Sequence, residues 1–198
     1  MAKSKDNVVM QGASGKIGRN LVFRQKGDQT IIARRPRETA TGRPISDDQL
    51  KVQERFLDAS LYAKKAIKYE DLKAAYKAKA TINQTAYNVA FKDFFTPPTV
   101  RRLNDVGYSG QAGEEITFMV RDIMRVTEIE VEILDSSEML IETGMAVPID
   151  DDNLEWRYIT TVENPNYAES VYRITMLDTP RNITTVIKAY GADMSNTP

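Results

Sequence analysis

The sequence predicts an α+β chain of several parts: a basic N-terminal β-hairpin arm, a short helical segment and a C-terminal immunoglobulin-like β-sandwich. Three observations predict this division. Residues 1–45 are basic and rich in turn formers, residues 46–96 repeat apolar side chains at helical spacing, and residues 97–191 alternate apolar and polar side chains with a period of two. Residues 192–198 remain as a tail.

The composition of the 198 residues limits the chemistry that is possible. The chain has no cysteine and no histidine. This excludes disulfide bonds, thiol nucleophiles, the usual zinc sites and histidine bases. Carboxylate, lysine or tyrosine chemistry, hard-cation binding, and pure binding or scaffolding remain.

The net charge of −1 conceals two oppositely charged halves. Residues 1–102 carry 21 basic and 10 acidic side chains, whereas residues 103–198 carry 6 and 18. Each half therefore favours a surface of opposite sign, and head-to-tail association of copies is one such arrangement. The sequence does not open with a signal-peptide pattern, and no apolar run reaches the length of a transmembrane helix. Synthesis and residence in a cytoplasm is the expectation.

The arm, residues 1–45, is predicted to contain three strands and a linker. The strands are expected at residues 7–10, 20–25 and 30–34. A glycine-containing turn at residues 26–29 joins the last two strands as a hairpin. From residue 35 onward the arm has no periodicity and is predicted to be an extended linker.

The helical segment carries recognisable start and stop signals. Ser46 with Gln49, and Thr81 with Gln84, have the spacing of capping boxes. Apolar side chains at helical spacing follow the first box, recur around Tyr69 to Ala80, and follow the second box. Pro97-Pro98 must end the last helix, because proline lacks the amide hydrogen and restricts the residue before it.

The C-terminal segment is predicted to contain six or seven short strands separated by Asp- and Gly-rich turns, which is typical of an immunoglobulin-like sandwich. The clearest alternation places Glu residues at 128, 130 and 132 opposite Ile129, Val131 and Ile133. Trp156 is predicted to anchor the core, with ligand stacking as the alternative. The acidic turns leave open an oxygen-only calcium site. Its candidate ligands are Asp122, Asp135, Asp150, Asp151, Asp152 and Asp178.

The glycine-rich string of residues 12–18 resembles the start of an NADP-binding reductase, in which a glycine-rich turn precedes a helix and a later arginine meets the 2′-phosphate. On that interpretation Gly12, Gly15, Gly18 and Arg34 would be the cofactor site. The residues from 19 to 26 are few for a crossover helix, and no further βαβ unit follows. The string is not a P-loop, because Ile17 follows Lys16. The alternative is that the glycines serve close backbone turns in the arm.

Three segments together resemble uncharacterised virion proteins of Bacteroidota and crAss-like tailed phages. They are residues 15–23 with 31–36, residues 76–80 with 85–98, and residues 178–185. The last of these resembles the Asp-x-Pro-Gly-Asn-x-Thr turn of bacterial and phage immunoglobulin-like domains, with Arg181 in place of the glycine. The resemblance implies a virion component that decorates or joins the capsid, made in the host cytoplasm and then located in the particle.

The sequence therefore favours a non-enzymatic structural protein, capsid-associated or connecting, that binds other virion proteins and copies of itself. No catalytic residue, cofactor or metal is assigned, and nucleic acid and membrane are not the expected partners. The alternatives are an NADP-dependent reductase and a cytoplasmic adaptor that binds carbohydrate or protein. The partner-binding residues are expected on the arm. They are Arg19, Phe23, Arg24, Arg34, Arg35 and Arg37.

Overall fold

The computed structural model describes residues 2–4, 8–10, 12–27, 29–35 and 44–192. Within these residues the fold is α+β, with three α-helices and three four-stranded antiparallel sheets. The chain divides into two compact units. Unit 1 is Met1–Arg55 with Thr81–Gln84, and unit 2 is Phe56–Ala80 with Thr85–Pro198.

The sheet of unit 1 has the strand order β1-β4-β3-β2. Its strands are β1 (Ala2–Ser4), β2 (Gly15–Ile17), β3 (Leu21–Lys26) and β4 (Gln29–Arg34). The predicted hairpin is confirmed, since β3 and β4 pair with Phe23 opposite Ile32. The strand expected at residues 7–10 is wrong. Residues 8–10 form a turn in which the Ala13 amide donates to the Met10 carbonyl at 3.2 Å, and Asn7 lies outside the described residues.

The helices are α1 (Asp47–Ala66), α2 (Glu70–Ala78) and α3 (Ala86–Phe95). The capping box at the start of α1 is confirmed, because Ser46 and Gln49 exchange hydrogen bonds of 3.1 and 3.3 Å. The second expected box is wrong as a helix start. Gln84 does accept from the Thr81 amide at 3.2 Å, but α3 is capped by Thr85, whose hydroxyl accepts from the Asn88 amide. Helix α3 ends before the two prolines, as predicted.

Two further sheets lie in unit 2, with strand orders β5-β6-β10-β9 and β12-β11-β7-β8. A single-turn 3₁₀ helix, Tyr167–Glu169, precedes β11. The strands are β5 (Thr99–Asn104), β6 (Glu115–Arg121), β7 (Val126–Leu134), β8 (Leu140–Met145), β9 (Val147–Pro148), β10 (Glu155–Ile159), β11 (Val171–Asp178) and β12 (Ile183–Ala189).

One hydrophobic core joins these two sheets. The predicted alternation is confirmed on β7, where Ile129, Val131 and Ile133 are buried while the glutamates between them face outward. Trp156 is 2% exposed and belongs to this core, as predicted, and its indole N–H donates to the Asn153 carbonyl at 2.9 Å. The two antiparallel sheets therefore form a sandwich-like pair.

The helical part of unit 2 has a smaller core of alanine and aromatic side chains. Ala63, Tyr76, Val89 and Ala90 are buried there, and the loop that follows β6 contributes Ile123 and Met124. The helices thus pack against the sandwich through this loop. No helix among the described stretches is long and apolar enough to cross a membrane.

Candidate functional site

The arginines predicted to bind a partner lie at exposed positions of the unit 1 sheet. Arg19 is in the turn between β2 and β3, Arg24 is in β3, and Arg34 and Arg35 are at the end of β4. Arg37 lies outside the described residues. Phe23, which was predicted with them as a partner-binding residue, is only 4% exposed and so offers little surface to a partner.

The strand register separates the arginines onto two faces. Arg24 pairs with Ile31, whereas Arg34 pairs with Leu21. Because side chains alternate along a strand, Leu21 and Arg24 point to opposite faces, and so do Arg24 and Arg34. The arginines of the arm are therefore not one continuous patch.

The face that carries Arg24 also carries two lysines. Lys16 pairs with Val22, and Val22, Arg24 and Lys26 are alternate residues of β3. This basic face consists of Lys16, Arg24 and Lys26 around half-buried Val22, Ile31 and Ala33. Its three cations make no ion pair with any residue in the described stretches. The face presents positive charge beside a small apolar strip.

The opposite face is covered by the segment before β2. The Thr30 hydroxyl donates to the Met10 carbonyl at 3.0 Å, and the Gln25 amide donates to the Ala13 carbonyl at 2.9 Å. Thr30 is only 2% exposed under this cover. The glycine-rich string thus runs from a covering loop into the edge strand β2. Within residues 12–27 it opens no helix, so the helix N-terminus that a bound pyrophosphate would require is not there.

The outward side of β7 in unit 2 is acidic. We define the acidic face as Glu128, Glu130 and Glu132. Glu132 forms a cross-strand ion pair with Arg173 at 3.0 Å. Glu128 and Glu130 are exposed and make no ion pair within the described part of the chain. This face is open to a cationic partner.

The sandwich also has a long open edge at β12. No described strand pairs with the outer side of this seven-residue strand, and Ile183 and Ile187 are 71% and 61% exposed. An edge strand offers a row of backbone donors and acceptors to an added strand. Exposed isoleucines beside that row add apolar contact area.

Three of the aspartates considered as calcium ligands serve separate turns. Asp135 accepts from the Ser137 and Met139 amides, Asp150 from the Leu154 amide, and Asp178 from the Asn182 amide. These hydrogen bonds fix turns between strands. Within the described stretches, no three carboxylates come close enough together to hold a metal ion.

A cluster of buried carboxyl groups lies where the helices meet the sandwich. We define the carboxylate cluster as Asp93 of α3, Asp122 after β6 and Asp178 at the end of β11. Asp93 and Asp178 are 0% and 1% exposed. The Asn182 side-chain amide bridges the two elements, donating to Asp178 Oδ2 at 2.7 Å and to the Asp93 carbonyl at 3.5 Å.

A chain of hydroxyl groups ends on Asp93. Tyr76 donates to Asp93 Oδ2 at 2.7 Å, and the Tyr62 hydroxyl lies 2.6 Å from that of Tyr76. Since the Tyr76 proton is used for Asp93, Tyr62 is the donor to Tyr76. Tyr76 is buried and Tyr62 is half-buried, and burial raises the pKa of Tyr62 to about 12 and the pKa of Tyr76 above its usual range.

Burial raises the carboxyl pKa values in the cluster. For Asp93, burial raises the pKa to about 7, opposed by the Tyr76 hydrogen bond and assisted by the nearby Asp122 and Asp178. Burial raises the pKa of Asp122 to about 6, and it also raises the pKa of Asp178. Asp93 and Asp122 therefore take up protons nearer to neutral pH than an exposed aspartate does.

Asp93 is not among the site residues predicted from the sequence, although the sequence contains a signal for it. Asp93 is seven residues after Ala86 and four after Val89, so it falls on the apolar stripe of α3. A charged residue on a buried stripe indicates a paired or protonated group. The carboxylates that the sequence singles out are instead those of the acidic turns between strands.

No protein-family model matches the chain, and no curated protein matches it. A solved structure, CopC from Methylosinus trichosporium OB3b, is similar at a TM-score of 0.36 and 15% sequence identity. The match covers 46% of this chain and 88% of that chain. A likeness at this TM-score carries no argument about the fold or function of this protein.

Proposed function

We propose that this protein is a non-enzymatic structural subunit of a phage particle, associated with the capsid as a decoration protein or acting as a connector. Its partners are other virion proteins and copies of itself. The resemblance of three segments to crAss-like phage virion proteins supports the class. The oppositely charged halves support a role in assembly, because each half offers a surface to a neighbour of the other sign.

We further assign the sandwich to the immunoglobulin-like architecture. Strand order supports this assignment. If β5, β6, β7 and β8 are named A, B, C and C′, and β9 to β12 are named D to G, the two sheets become A-B-E-D and G-F-C-C′. These are the neighbours expected of an immunoglobulin-like sandwich with one extra strand beside C. Domains of this kind serve many functions, so the function rests on the surfaces rather than on the fold.

The observation that carries the proposed role is the basic face, whose three cations make no ion pair within the described chain. Arginine meets carboxylates through a planar fork, and such contacts mostly set orientation and association rate. The acidic face provides carboxylates of the required kind on a neighbouring subunit. The attachment is between the arm of one subunit and the sandwich surface of the next, identical or different.

Charge alone does not supply the affinity. Exposed ion pairs contribute about 0–1 kcal/mol each. Strand addition supplies the remainder, since it adds a row of backbone hydrogen bonds. Edge strand β2 of the arm and edge strand β12 of the sandwich are both open on the described chain, and Ile183 and Ile187 flank the second.

The role predicts that the protein is found in purified particles. Mass spectrometry of phage particles purified from the culture that expresses the gene should detect it at a fixed ratio to the main capsid protein. Deleting residues 1–45 should leave a soluble, folded sandwich that no longer incorporates. Absence of the full-length chain from the particles contradicts the virion role, and normal incorporation of the deletion variant contradicts attachment by the arm.

A matched pair of variants tests which face of the arm binds. Arg24 and Arg34 are both exposed arginines of paired strands, but they lie on opposite faces. Arg24→Glu should reduce incorporation strongly, because it places a repulsive charge in the centre of the basic face. Arg34→Glu should reduce it much less. Equal losses, or the reverse order, would show that the basic face is not the docking surface.

A further inference from the structure

An apolar groove lies on the helical part of unit 2. It is about 420 Å³ in volume. We call its apolar lining residues Ile67, Ala74, Ala86 and Tyr87 the floor, and its exposed lining lysines Lys73 and Lys77 the rim. A groove of this size and lining is within the range of ligand and peptide sites.

The outer face of α2 forms one wall of the groove. Lys73, Ala74 and Lys77 lie three, four and seven residues after Glu70, so the four residues share a helix face. The opposite face of α2 is the one that packs inward, through Tyr76, which is fully buried. The first turn of α3 forms the other wall, beginning at its cap Thr85.

The charge of the rim favours an acidic occupant. Glu70 neutralises Lys73 at 3.1 Å, but Lys77 forms no ion pair within the described stretches. The N-terminus of α3 adds a partial positive charge on the other side of the groove. The complementary partner is therefore an apolar side chain next to a carboxylate.

The hairpin turn between β7 and β8 presents this chemistry. Met139 is 66% exposed and Leu140 is 54% exposed, and Glu138 beside them is also exposed. The turn is held in one shape by Asp135, whose Oδ1 accepts from the Ser137 and Met139 amides at 2.8 and 2.9 Å. The methionine is thus fixed outward before any partner arrives, which lowers the entropy lost on binding.

Glu138 occupies a backbone conformation in which another residue type would make the turn more stable. Its φ is +60°, in the left-handed region where glycine or asparagine costs less. A strained residue that fixes no turn hydrogen bond through its side chain is a reason to look for a function. Here the glutamate supplies the carboxylate next to Met139.

We propose that the β7–β8 turn of one copy docks in the helical groove of a second copy, with Met139 on the apolar floor and Glu138 facing Lys77. The two surfaces differ, so the contact is heterologous and either closes a ring or repeats along an open chain. It involves neither the basic face nor the acidic face, so its failure leaves the attachment by the arm intact.

The contact is tested on the full-length chain by sedimentation velocity over a concentration series, with a melting temperature for every variant. The wild type should form species larger than the 22.4 kDa monomer as concentration rises. Met139→Ser should raise the dissociation constant about ten-fold or more, because a buried methionine is removed from the floor. Met145→Ser is the matched control, since Met145 is 56% exposed at the far end of β8, away from the turn.

A charge swap tests the pairing itself. Lys77→Glu and Glu138→Lys should each weaken association about three-fold or more, and the two changes in one chain should restore it. Glu163→Lys, at an exposed glutamate of another loop, should have no effect. Glu138→Asn should raise the melting temperature while weakening association, which a purely structural turn residue would not do.

Several results would overturn the contact. The first is a wild type that stays monomeric at millimolar concentration. The second is a Met139→Ser variant that associates as strongly as Met145→Ser. The third is a Lys77→Glu, Glu138→Lys double variant that associates no more strongly than either single variant. Repeating the series in an Arg24→Glu background, where docking by the arm is weakened, should leave the difference between Met139→Ser and Met145→Ser unchanged, which separates this contact from docking by the arm.

Discussion

Unit 2 contains two interiors that are built from different residues. The core between the two sheets is aliphatic and aromatic, with Ile129, Val131 and Trp156 at 0–2% exposure. The junction between the helices and the sandwich buries Asp93, Asp178 and Tyr76, so it contains the carboxylate cluster and the hydroxyl chain of Tyr62 and Tyr76. The first interior is stabilised by burial alone, whereas the second depends on the protonation of its acids. Changes in the two interiors should therefore differ in size and in pH dependence.

The largest effect is expected in the apolar interior. Trp156→Ala removes the largest side chain of the core and leaves a cavity, so the free energy of unfolding should fall by about 3–5 kcal/mol. Urea unfolding followed by far-UV circular dichroism measures it. Ile183→Ala on the exposed edge of β12 is the control and should change the value by less than about 0.5 kcal/mol. A comparable loss in both variants would mean that Trp156 is not an anchor of the core.

The apolar interior is the part that the sequence predicts well. Strict alternation over Ile129, Val131 and Ile133 specifies one buried side of a strand, and a shift of one residue would bury the glutamates. Trp156 also lies in a strand in which buried and exposed side chains alternate. The hairpin of residues 21–34 also follows from local pattern, because its turn and strands are adjacent in sequence.

The junction is harder to predict because its partners are distant in sequence. Asp93, Asp122 and Asp178 belong to three different elements, and only the packing of the helices on the loop after β6 brings them together. The separation of Arg24 from Arg34 was also missed. Composition counts both as basic residues of the arm, whereas the register of β3 and β4 decides their faces. In both cases the contacts between distant segments, and not the local sequence, decide which charged side chains lie together.

The junction should make stability depend on pH. The pKa of Asp93 is raised from 3.8 to about 7, so the folded state holds a proton that the unfolded state releases between these values. The stability that this proton contributes is fully present below about pH 4 and is lost as the pH rises to about 7. Its size is roughly 1.4 kcal/mol for each unit by which the pKa is raised. Asp122, with a pKa of about 6, acts in the same direction.

Unfolding free energies measured from pH 4 to pH 8 test this dependence. Asp93→Asn keeps a polar, uncharged group at the site and should make the free energy of unfolding depend less on pH. Compared with the wild type, the variant should gain most stability at pH 8. Glu128→Gln is the control, because that carboxylate is exposed on β7. A variant profile parallel to that of the wild type would show that Asp93 does not hold the proton.

A smaller loss is expected from the hydroxyl chain. Tyr76→Phe removes the donor to Asp93 Oδ2 at 2.7 Å and the acceptor for Tyr62, while it keeps the aromatic ring. A buried acceptor then loses its partner, which costs about 1–3 kcal/mol. Thermal unfolding at pH 5 measures this cost. Tyr87→Phe is a matched control, since the Tyr87 hydroxyl reaches only the partly buried Ser60. Equal effects of the two variants would contradict a special role for the Tyr76 bond.

The smallest effect separates backbone strain from proton binding at the same junction. Arg181 lies in the turn between β11 and β12 at φ +70°, a left-handed conformation that glycine adopts without strain. Arg181→Gly relieves about 1–2 kcal/mol of left-handed strain and costs about 0.5–1 kcal/mol in unfolded-chain entropy, so the free energy of unfolding should rise by about 0–1.5 kcal/mol.

This gain should be the same at every pH between 4 and 8. The Asp178 carboxylate keeps its hydrogen bonds to Asn182 in the variant, because these use the Asn182 backbone and side-chain amides at 2.6 and 2.7 Å and not the Arg181 side chain. Arg181→Gly should therefore raise the stability profile without changing its slope, while Asp93→Asn should change the slope. If Arg181→Gly alters the slope instead, the turn sets the protonation of Asp178, and backbone strain and proton binding at the junction are not independent.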